Sequence, residues 1–274
     1  MPIVLLIIVA LAFVMFYGGF GTNWKSAKPV AVKAVILSFM GVVLTALSLT
    51  LFCTFVLKMN PLEGFLIGSV LSSTDAASVF SILRSKKLSL KYGTASLLEI
   101  ESGSNDPISF MLTTAAIALI TGTKTNIGYM MFTQIVFGGL IGVSIAVLAI
   151  VLLKRTSFIP QGLDTIFIVA IVLASYALPS LVGGNGYLSV YLTGIILGNS
   201  SIRNKKILVP FFDGITNLAQ ICIFFILGLL SFPTRLPSVF LIAMVIALFL
   251  LFIGRPITVF LLMTPFKAGF KQQC

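Results

Sequence analysis

The feature that most constrains this chain is a series of nine apolar stretches, each near or above the roughly 20 residues that cross the hydrocarbon core of a bilayer. They cover residues 3–20, 31–57, 61–83, 93–121, 126–153, 164–182, 186–202, 209–231 and 238–265. Only 9% of the residues are charged, against about 25% in a soluble domain, and the mean hydropathy is +1.15. No stretch alternates in polarity as a transmembrane β-strand does. The sequence therefore predicts an all-α membrane protein with about nine transmembrane helices.

Lysine and arginine are distributed unevenly between alternate loops. One set of loops carries 14 of the 18 basic residues and the other set carries three, while Arg255 lies inside a span. Cytoplasmic loops carry the excess of Lys and Arg, so a multi-pass protein of the cell membrane is predicted, with its N-terminus outside and its C-terminus in the cytoplasm. Although the net charge is +11, the basic residues form no single patch with interleaved aromatics, which argues against nucleic acid as a partner.

The connections and the glycines bear on domain organisation and packing. No loop exceeds about ten residues, so we expect residues 1–274 to form one transmembrane domain without a soluble regulatory domain. Close helix packing is predicted at three Gly-x-x-x-Gly pairs, because glycine lets two backbones approach. These pairs are Gly64 with Gly68, Gly138 with Gly142, and Gly194 with Gly198.

The acidic residues are few and concentrated. Of seven in the chain, four fall within 32 residues, namely Asp75, Glu99, Glu101 and Asp106. A carboxylate near the middle of a bilayer costs roughly 2.5–3.5 kcal/mol on insertion scales, so each needs a partner, an ion or a proton. The rise of a helix from residue 93 places Asp106 about 20 Å along its span, near the bilayer midplane. We therefore look for the functional site here.

Helical spacing sorts this polar motif into two faces. Ser102 and Asp106 are four residues apart and share one face. Glu101 and Asn105 share another face, turned by about 100° from the first. One face thus presents a hydroxyl and a carboxylate, and the other presents a carboxylate and an amide.

Arg255 needs an anion because it is the one basic residue inside a span, about 25 Å along its helix from residue 238. Glu101, Asp75 and Asp106 are the candidates, and snorkelling of the guanidinium to the surface is the alternative. The two faces favour Glu101 as the partner, which leaves proton and cation exchange to Asp106.

A polar run, Ser72-Ser73-Thr74-Asp75, interrupts the third apolar stretch near its middle. Ser, Thr and Asp are preferred helix N-caps, so the run could begin a half-helix after an unwound segment. Discontinuous helices of this kind build cation sites in secondary transporters. The alternative is an intact helix whose hydroxyls bond to their own turn.

The chain contains no histidine. This excludes a Ser-His-Asp site and most zinc sites, so neither an enzyme nor a metal beyond a transported Na⁺ or K⁺ is expected, and no cofactor is implied. Proton handling must use a carboxylate instead.

Four segments resemble the NhaP-type cation/proton antiporters of the sodium/hydrogen exchanger family, most closely its potassium/proton branch. They are Ser-Ser-Thr-Asp-Ala-Ala-Ser-Val-Phe (72–80), Leu-Glu-Ile-Glu-Ser-Gly-Ser-Asn-Asp-Pro (98–107), Gly-Tyr-Leu-Ser-Val-Tyr-Leu-Thr-Gly-Ile-Ile-Leu-Gly-Asn (186–199) and Phe-Phe-Ile-Leu-Gly-Leu-Leu (224–230). The resemblance covers essentially the whole chain. It implies a homodimeric antiporter built as an inverted-repeat helical bundle with a discontinuous helix.

The resemblance also implies roles for individual residues. Asp106 would bind the cation or protons in competition, Ser102 and Thr74 would supply oxygens, and Asn105 would orient the site. Asp75 would cap the broken helix, while Glu101 and Arg255 would form a structural ion pair. An Asn-Asp pair in place of Asp-Asp implies electroneutral exchange of one K⁺ or Na⁺ for one H⁺.

Members of this family have twelve or thirteen helices. Here the resemblance starts at what looks like the third helix and stops before the last two, so we expect a partial antiporter domain. Two alternatives remain open at this point. One is a channel-like pore built on the same polar centre, and the other is an inactive partial antiporter that needs the missing helices.

Overall fold

The computed structural model describes residues 2–74, 94–123, 125–154, 163–202 and 205–266, and all regular structure in these ranges is helical. The α-helices are α1 (Pro2–Gly21), α2 (Trp24–Ala27), α3 (Ala31–Phe55), α4 (Pro61–Leu71), α5 (Thr94–Ile120), α6 (Ile127–Lys154), α7 (Asp164–Leu181), α8 (Gly186–Gly198), α9 (Lys205–Leu230), α10 (Leu236–Phe249) and α11 (Arg255–Met263). A π-helical segment, Leu250–Gly254, joins α10 to α11.

Six helical stretches of the described ranges are long and apolar enough to cross a membrane. They are Pro2–Gly21, Ala31–Phe55, Ile127–Lys154, Asp164–Leu181, Lys205–Leu230 and the continuous stretch Pro233–Phe266. Helices α4 and α8 are apolar but short, and α5 is the least apolar of the long helices because it carries the polar motif. The all-α prediction is confirmed, whereas the count of nine spans is not.

Helix α4 shows how local sequence sets the ends of a helix. Asn60 caps its start, because its side-chain oxygen accepts a hydrogen bond from the Leu62 N–H at 2.9 Å, and Pro61 occupies the first helical position. The helix ends at Leu71, and Ser72, Ser73 and Thr74 are not helical. The alternative of an intact helix through this run is therefore wrong. Residues 75–83 of the predicted span, with Asp75, lie outside the described residues.

The chain divides into two compact units, each described here by itself. Unit 1 comprises residues 1–25 and 128–231, hence α1 and α6–α9. Its α1 packs against α8 and α9, where Phe212 lies 4.9 Å from Phe16 between ring centroids. Helix α6 approaches the start of α8 closely: a Cβ added at Gly138 or Gly142 would lie 2.7 Å from a backbone carbonyl oxygen. The close packing predicted for this glycine pair is confirmed.

Unit 2 comprises residues 26–127 and 232–274. Helix α3 is its centre and packs against α4, α5 and α11. At one end of α3, Phe52 stacks on Phe249 with 4.0 Å between ring centroids. Toward the other end, Ala34 and Leu37 share an apolar cluster with Met263. The polar motif of α5 lies entirely in this unit.

Candidate functional site

The polar motif lies midway along α5 and is largely buried. Asp106 is the thirteenth of the 27 residues of the helix. Glu101, Ser102 and Asn105 are each at most 2% exposed, and Asp106 is partly buried. Pro107 follows within the helix and lacks an N–H, so the carbonyl of Gly103 loses its usual helical partner. The helix is therefore weakened locally where its polar groups are concentrated.

Glu101 is held by a cation and an amide. Arg255 donates from Nη2 to the Glu101 Oε1 atom in an ion pair, and Asn105 Nδ2 lies 3.4 Å from the same oxygen. The Glu101 side chain is 3% exposed and the Arg255 side chain 22%. Because a buried charge is stable only when paired, the guanidinium neutralises Glu101 at the depth where neutralisation is needed.

A local irregularity of the helix precedes Arg255. The Arg255 N–H donates to the carbonyl of Leu250, which is five residues earlier in the chain. In an α-helix it would donate to the carbonyl four residues earlier. The next residue, Pro256, has no N–H to offer, which favours departure from the α-helical pattern. A π turn adds one residue and so shifts the helix by about 100° relative to an uninterrupted α-helix.

This shift lets both halves of the last span face α3. Before the π segment, Phe249 stacks on Phe52 of α3. After it, Thr258 is 3% exposed and lies 3.4 Å from Thr45 of α3, measured between hydroxyl oxygens. The Gly-Arg-Pro sequence at 254–256 is the signal for this irregularity, although by itself it predicted only a charge inside the span.

Ser73, two residues after the end of α4, contacts Asn105 and Asp106 of α5. Ser73 donates from its hydroxyl to Asn105 Oδ1 at 3.0 Å and to Asp106 Oδ1, so these two acceptors share one proton. Sequence reasoning did not assign a role to Ser73, although it belongs to the predicted polar run. The contact depends on where α4 ends, which residue types alone do not fix.

Thr74 and Ser102 complete the network. Asn105 Nδ2 donates to Thr74 Oγ1 at 2.6 Å, and Thr74 Oγ1 donates to Ser102 Oγ at 3.2 Å. Ser102 Oγ also lies 3.5 Å from Glu101 Oε2. The structure thus brings together six predicted site residues: Thr74, Glu101, Ser102, Asn105, Asp106 and Arg255. The seventh, Asp75, lies outside the described residues.

Chemically, this is a cluster of oxygen ligands around one carboxylate. The Ser73 hydroxyl contacts Asp106 just after a helix that stops inside the apolar stretch, and hydrogen bonds link Ser73 through Asn105 to the hydroxyls of Thr74 and Ser102. Oxygen atoms of this kind replace the hydration shell of Na⁺ or K⁺. A helix break at membrane depth is tolerated where it is buried in protein or lines a cavity, as in transporter cation sites.

Comparison with known proteins agrees with this geometry. The family model "Sodium/hydrogen exchanger, transmembrane" matches residues 3–274. The K(+)/H(+) antiporter NhaP of Alkalimonas amylolytica is 35% identical over 272 residues, which are 97% of this chain and 46% of that protein. The K(+)/H(+) antiporter NhaP2 of Shewanella oneidensis is 34% identical over 264 residues, 94% of this chain and 46% of that protein.

A structure of the sodium proton antiporter MjNhaP1 from Methanocaldococcus jannaschii at pH 8 has the same fold. Its TM-score to this chain is 0.85 at 24% identity, covering 97% of this chain and 66% of the antiporter. The predicted fold is confirmed, and the chain spans about half the length of the curated relatives it matches. The chain belongs to the sodium/hydrogen exchanger family.

Proposed function

We propose that this chain carries the exchange site of a secondary active transporter, at which a monovalent cation and a proton compete for Asp106. The observation that carries the proposal is the position of this carboxylate. It lies midway along α5 and accepts a hydrogen bond from Ser73, directly after α4 ends. A carboxylate at this depth beside unwound backbone is what a cation needs to leave its hydration shell within the membrane.

The charges support electroneutral exchange. Glu101 is neutralised by Arg255, and Asp106 accepts a hydrogen bond from the neutral hydroxyl of Ser73. One K⁺, Na⁺ or H⁺ would then balance one carboxylate charge in each half of the cycle. Asn105, with its amide held by Thr74 and Glu101, adds an oxygen without adding a second charge.

The roles of the other residues follow from their contacts. Ser73, Thr74 and Ser102 would offer hydroxyl oxygens to the cation, and Asn105 would hold the end of α4 against α5. Glu101 and Arg255 would keep α11 fixed on α5 as a structural ion pair. Asp75 stays a proposal from sequence as the residue that caps the broken helix.

The wider proposals follow the family and the charge pattern. Residues 1–274 would act as the transmembrane antiport domain of a homodimer in the cell membrane, with the N-terminus outside and the C-terminus in the cytoplasm. The relatives named for potassium are 34–35% identical to this chain. Potassium is therefore the first cation to test, followed by sodium.

The test uses the full-length protein in vesicles with a trapped pH-sensitive dye. Addition of K⁺ or Na⁺ outside acidic vesicles should raise the internal pH in a saturable way, and Asp106→Asn should reduce this rate to that of protein-free vesicles. Glu63→Gln is the matched control, because Glu63 is exposed in the first turn of α4 and should leave the rate unchanged. Exchange by Asp106→Asn at the parental rate would refute the proposal.

Electroneutrality is tested separately by imposing a membrane potential. The exchange rate should not depend on the potential, and transport should not depolarise the vesicles. Flux that rises linearly with cation concentration and collapses the potential would identify a channel-like pore instead.

A further inference from the structure

Helix α9 of unit 1 carries a polar band that the proposed site does not use. Asp213, Thr216, Asn217 and Gln220 occupy positions i, i+3, i+4 and i+7, so they lie within about 100° of one another around the helix. The rest of the helix beyond its first two lysines is almost entirely apolar. In a membrane, such a band faces water or polar protein groups, because hydrocarbon does not solvate it.

The band lies beside the seam by which α9 packs on α1. The buried side of the helix comprises Leu208, Phe212, Thr216 and Ala219, and Phe212 contacts the rings of Phe13 and Phe16. Helix α9 is thus held by its apolar seam. Asp213, Asn217 and Gln220 of the polar band are not among these buried residues and have to be explained otherwise.

Asp213 is the charged member of the band. It is exposed and lies about 12 Å along the helix axis from Lys205, well beyond the two lysines at the start of the helix. The Tyr17 hydroxyl of α1 donates to Asp213 Oδ1 at 2.8 Å, and Tyr17 itself is 8% exposed. One hydrogen bond leaves most of the acceptor capacity of a carboxylate available to other donors or to a cation.

Thr216, three residues further along and on the buried side of the helix, supplies an independent observation. Its residue is 5% exposed, and its Oγ1 atom has no hydrogen-bond partner in the described part of the chain. Buried hydroxyls in proteins are almost always satisfied, so an orphan one turn from a carboxylate indicates that water or an ion belongs there. Tyr17, Asp213 and Thr216 together offer oxygens of three kinds on two packed helices.

We propose that Asp213, with Tyr17, is a second cation-binding carboxylate, which receives the monovalent cation on an aqueous path along α9. Tyr17 holds the carboxylate in place through its hydroxyl, and the amides of Asn217 and Gln220 continue the hydrated surface further along the helix. The inference rests on the proposed function for the identity of the cation. It assigns to Asp213 the capture of the ion and leaves the competition with protons to Asp106.

A capture site affects the cation concentration needed for transport more than the maximal rate. For Asp213→Asn we expect the half-saturating K⁺ or Na⁺ concentration to rise about 5- to 10-fold, with the maximal rate within about twofold of the parent. Asp213→Glu should restore the parental value, because it returns the charge. Tyr17→Phe should give a smaller rise, about 2- to 3-fold, because the carboxylate remains but loses its donor.

If Asp213 had only a structural role, Asp213→Asn would affect the two transport constants in the opposite way. The maximal rate would then fall with the amount of folded protein, and the half-saturating concentration would not change. Either that result, or parental values of both constants in Asp213→Asn, would overturn the inference.

A labelling experiment tests the site without transport. A water-soluble carbodiimide with an amine nucleophile modifies solvent-accessible carboxyl groups, and mass spectrometry of the digested full-length protein distinguishes the peptides that contain Asp213 and Asp106. Asp213 should be labelled in choline chloride and protected by KCl or NaCl at equal ionic strength. No labelling, or equal labelling in all three salts, would overturn the inference. Loss of protection at Asp106 alone would instead count against the proposed function.

Discussion

The two units solve the problem of packing helices in lipid in different ways. In unit 1, α6 runs unbroken for 28 residues, and glycines bring it against the backbone at the start of α8. In unit 2, α4 stops at Leu71 and the last span contains a π segment before Arg255. Unit 1 therefore contains regular helices joined by small residues, and unit 2 contains helices that are interrupted where charges are buried.

The difference teaches where polar backbone is useful in a membrane protein. Glycine contacts gain van der Waals packing between backbones and require unbroken helices to stay in register. Buried charges need ligands from several directions, and an interrupted helix supplies them, as the contacts of Ser73 with Asn105 and Asp106 illustrate. Both units should be sensitive to added volume at such glycines, because a Cβ at Gly68 of unit 2 would lie 2.4 Å from the Ala46 carbonyl oxygen, and unit 2 should in addition be sensitive to removed charge.

The largest effect is expected from Arg255→Ala in unit 2. The change leaves Glu101 buried without its cation, so the free energy of unfolding should fall by about 3–5 kcal/mol. The measurement is thermal unfolding of the detergent-solubilised protein followed by circular dichroism.

The matched control removes both charges. Glu101→Gln combined with Arg255→Gln leaves two neutral amides, and this variant should be more stable than Arg255→Ala alone. If the double variant is the less stable of the two, the pair contributes through packing and not through charge. Unit 2 would then not be distinguished by its sensitivity to removed charge.

Part of this site could be predicted from the sequence, because helical spacing is fixed by geometry. The four-residue spacing puts Glu101 and Asn105 on one face. In the structure, Asn105 and Arg255 both donate to the Oε1 atom of Glu101. Asp106 could likewise be placed near mid-helix from the rise per residue alone.

The remaining features depend on tertiary structure. That Ser73 touches Asp106 depends on α4 ending two residues earlier, and Gly-Arg-Pro at 254–256 marks an irregular turn without showing that both halves of the last span pack on α3. Asp213 escaped notice because its significance lies in the hydroxyl of Tyr17, which is 196 residues distant in sequence. The count of nine spans stays unconfirmed for a related reason, since apolar character does not reveal where a helix stops.

An intermediate effect is expected from Gly142→Ala in unit 1. The new Cβ would lie 2.7 Å from the carbonyl oxygen of Ser189, so α6 and α8 must separate, at a cost of about 1–3 kcal/mol in the free energy of unfolding. Gly139→Ala in the same helix is the control, because its Cβ meets nothing within 4 Å. Equal unfolding temperatures for the two variants would show that close backbone contact does not hold unit 1 together.

The smallest effect, and the one most specific to the exchange site, is expected from Ser73→Ala. The change removes the hydroxyl that donates to Asn105 and Asp106 and that could offer its oxygen to the cation. A neutral hydrogen bond contributes about 0.5–1.5 kcal/mol, so the half-saturating cation concentration should rise about 2- to 13-fold. Ser72→Ala is the matched control, because Ser72 Oγ donates to the Ser69 carbonyl at 2.8 Å, within its own turn. If both variants shift the half-saturating concentration equally, the end of α4 acts through its fold alone, and Ser73 is no more part of the cation site than its neighbour.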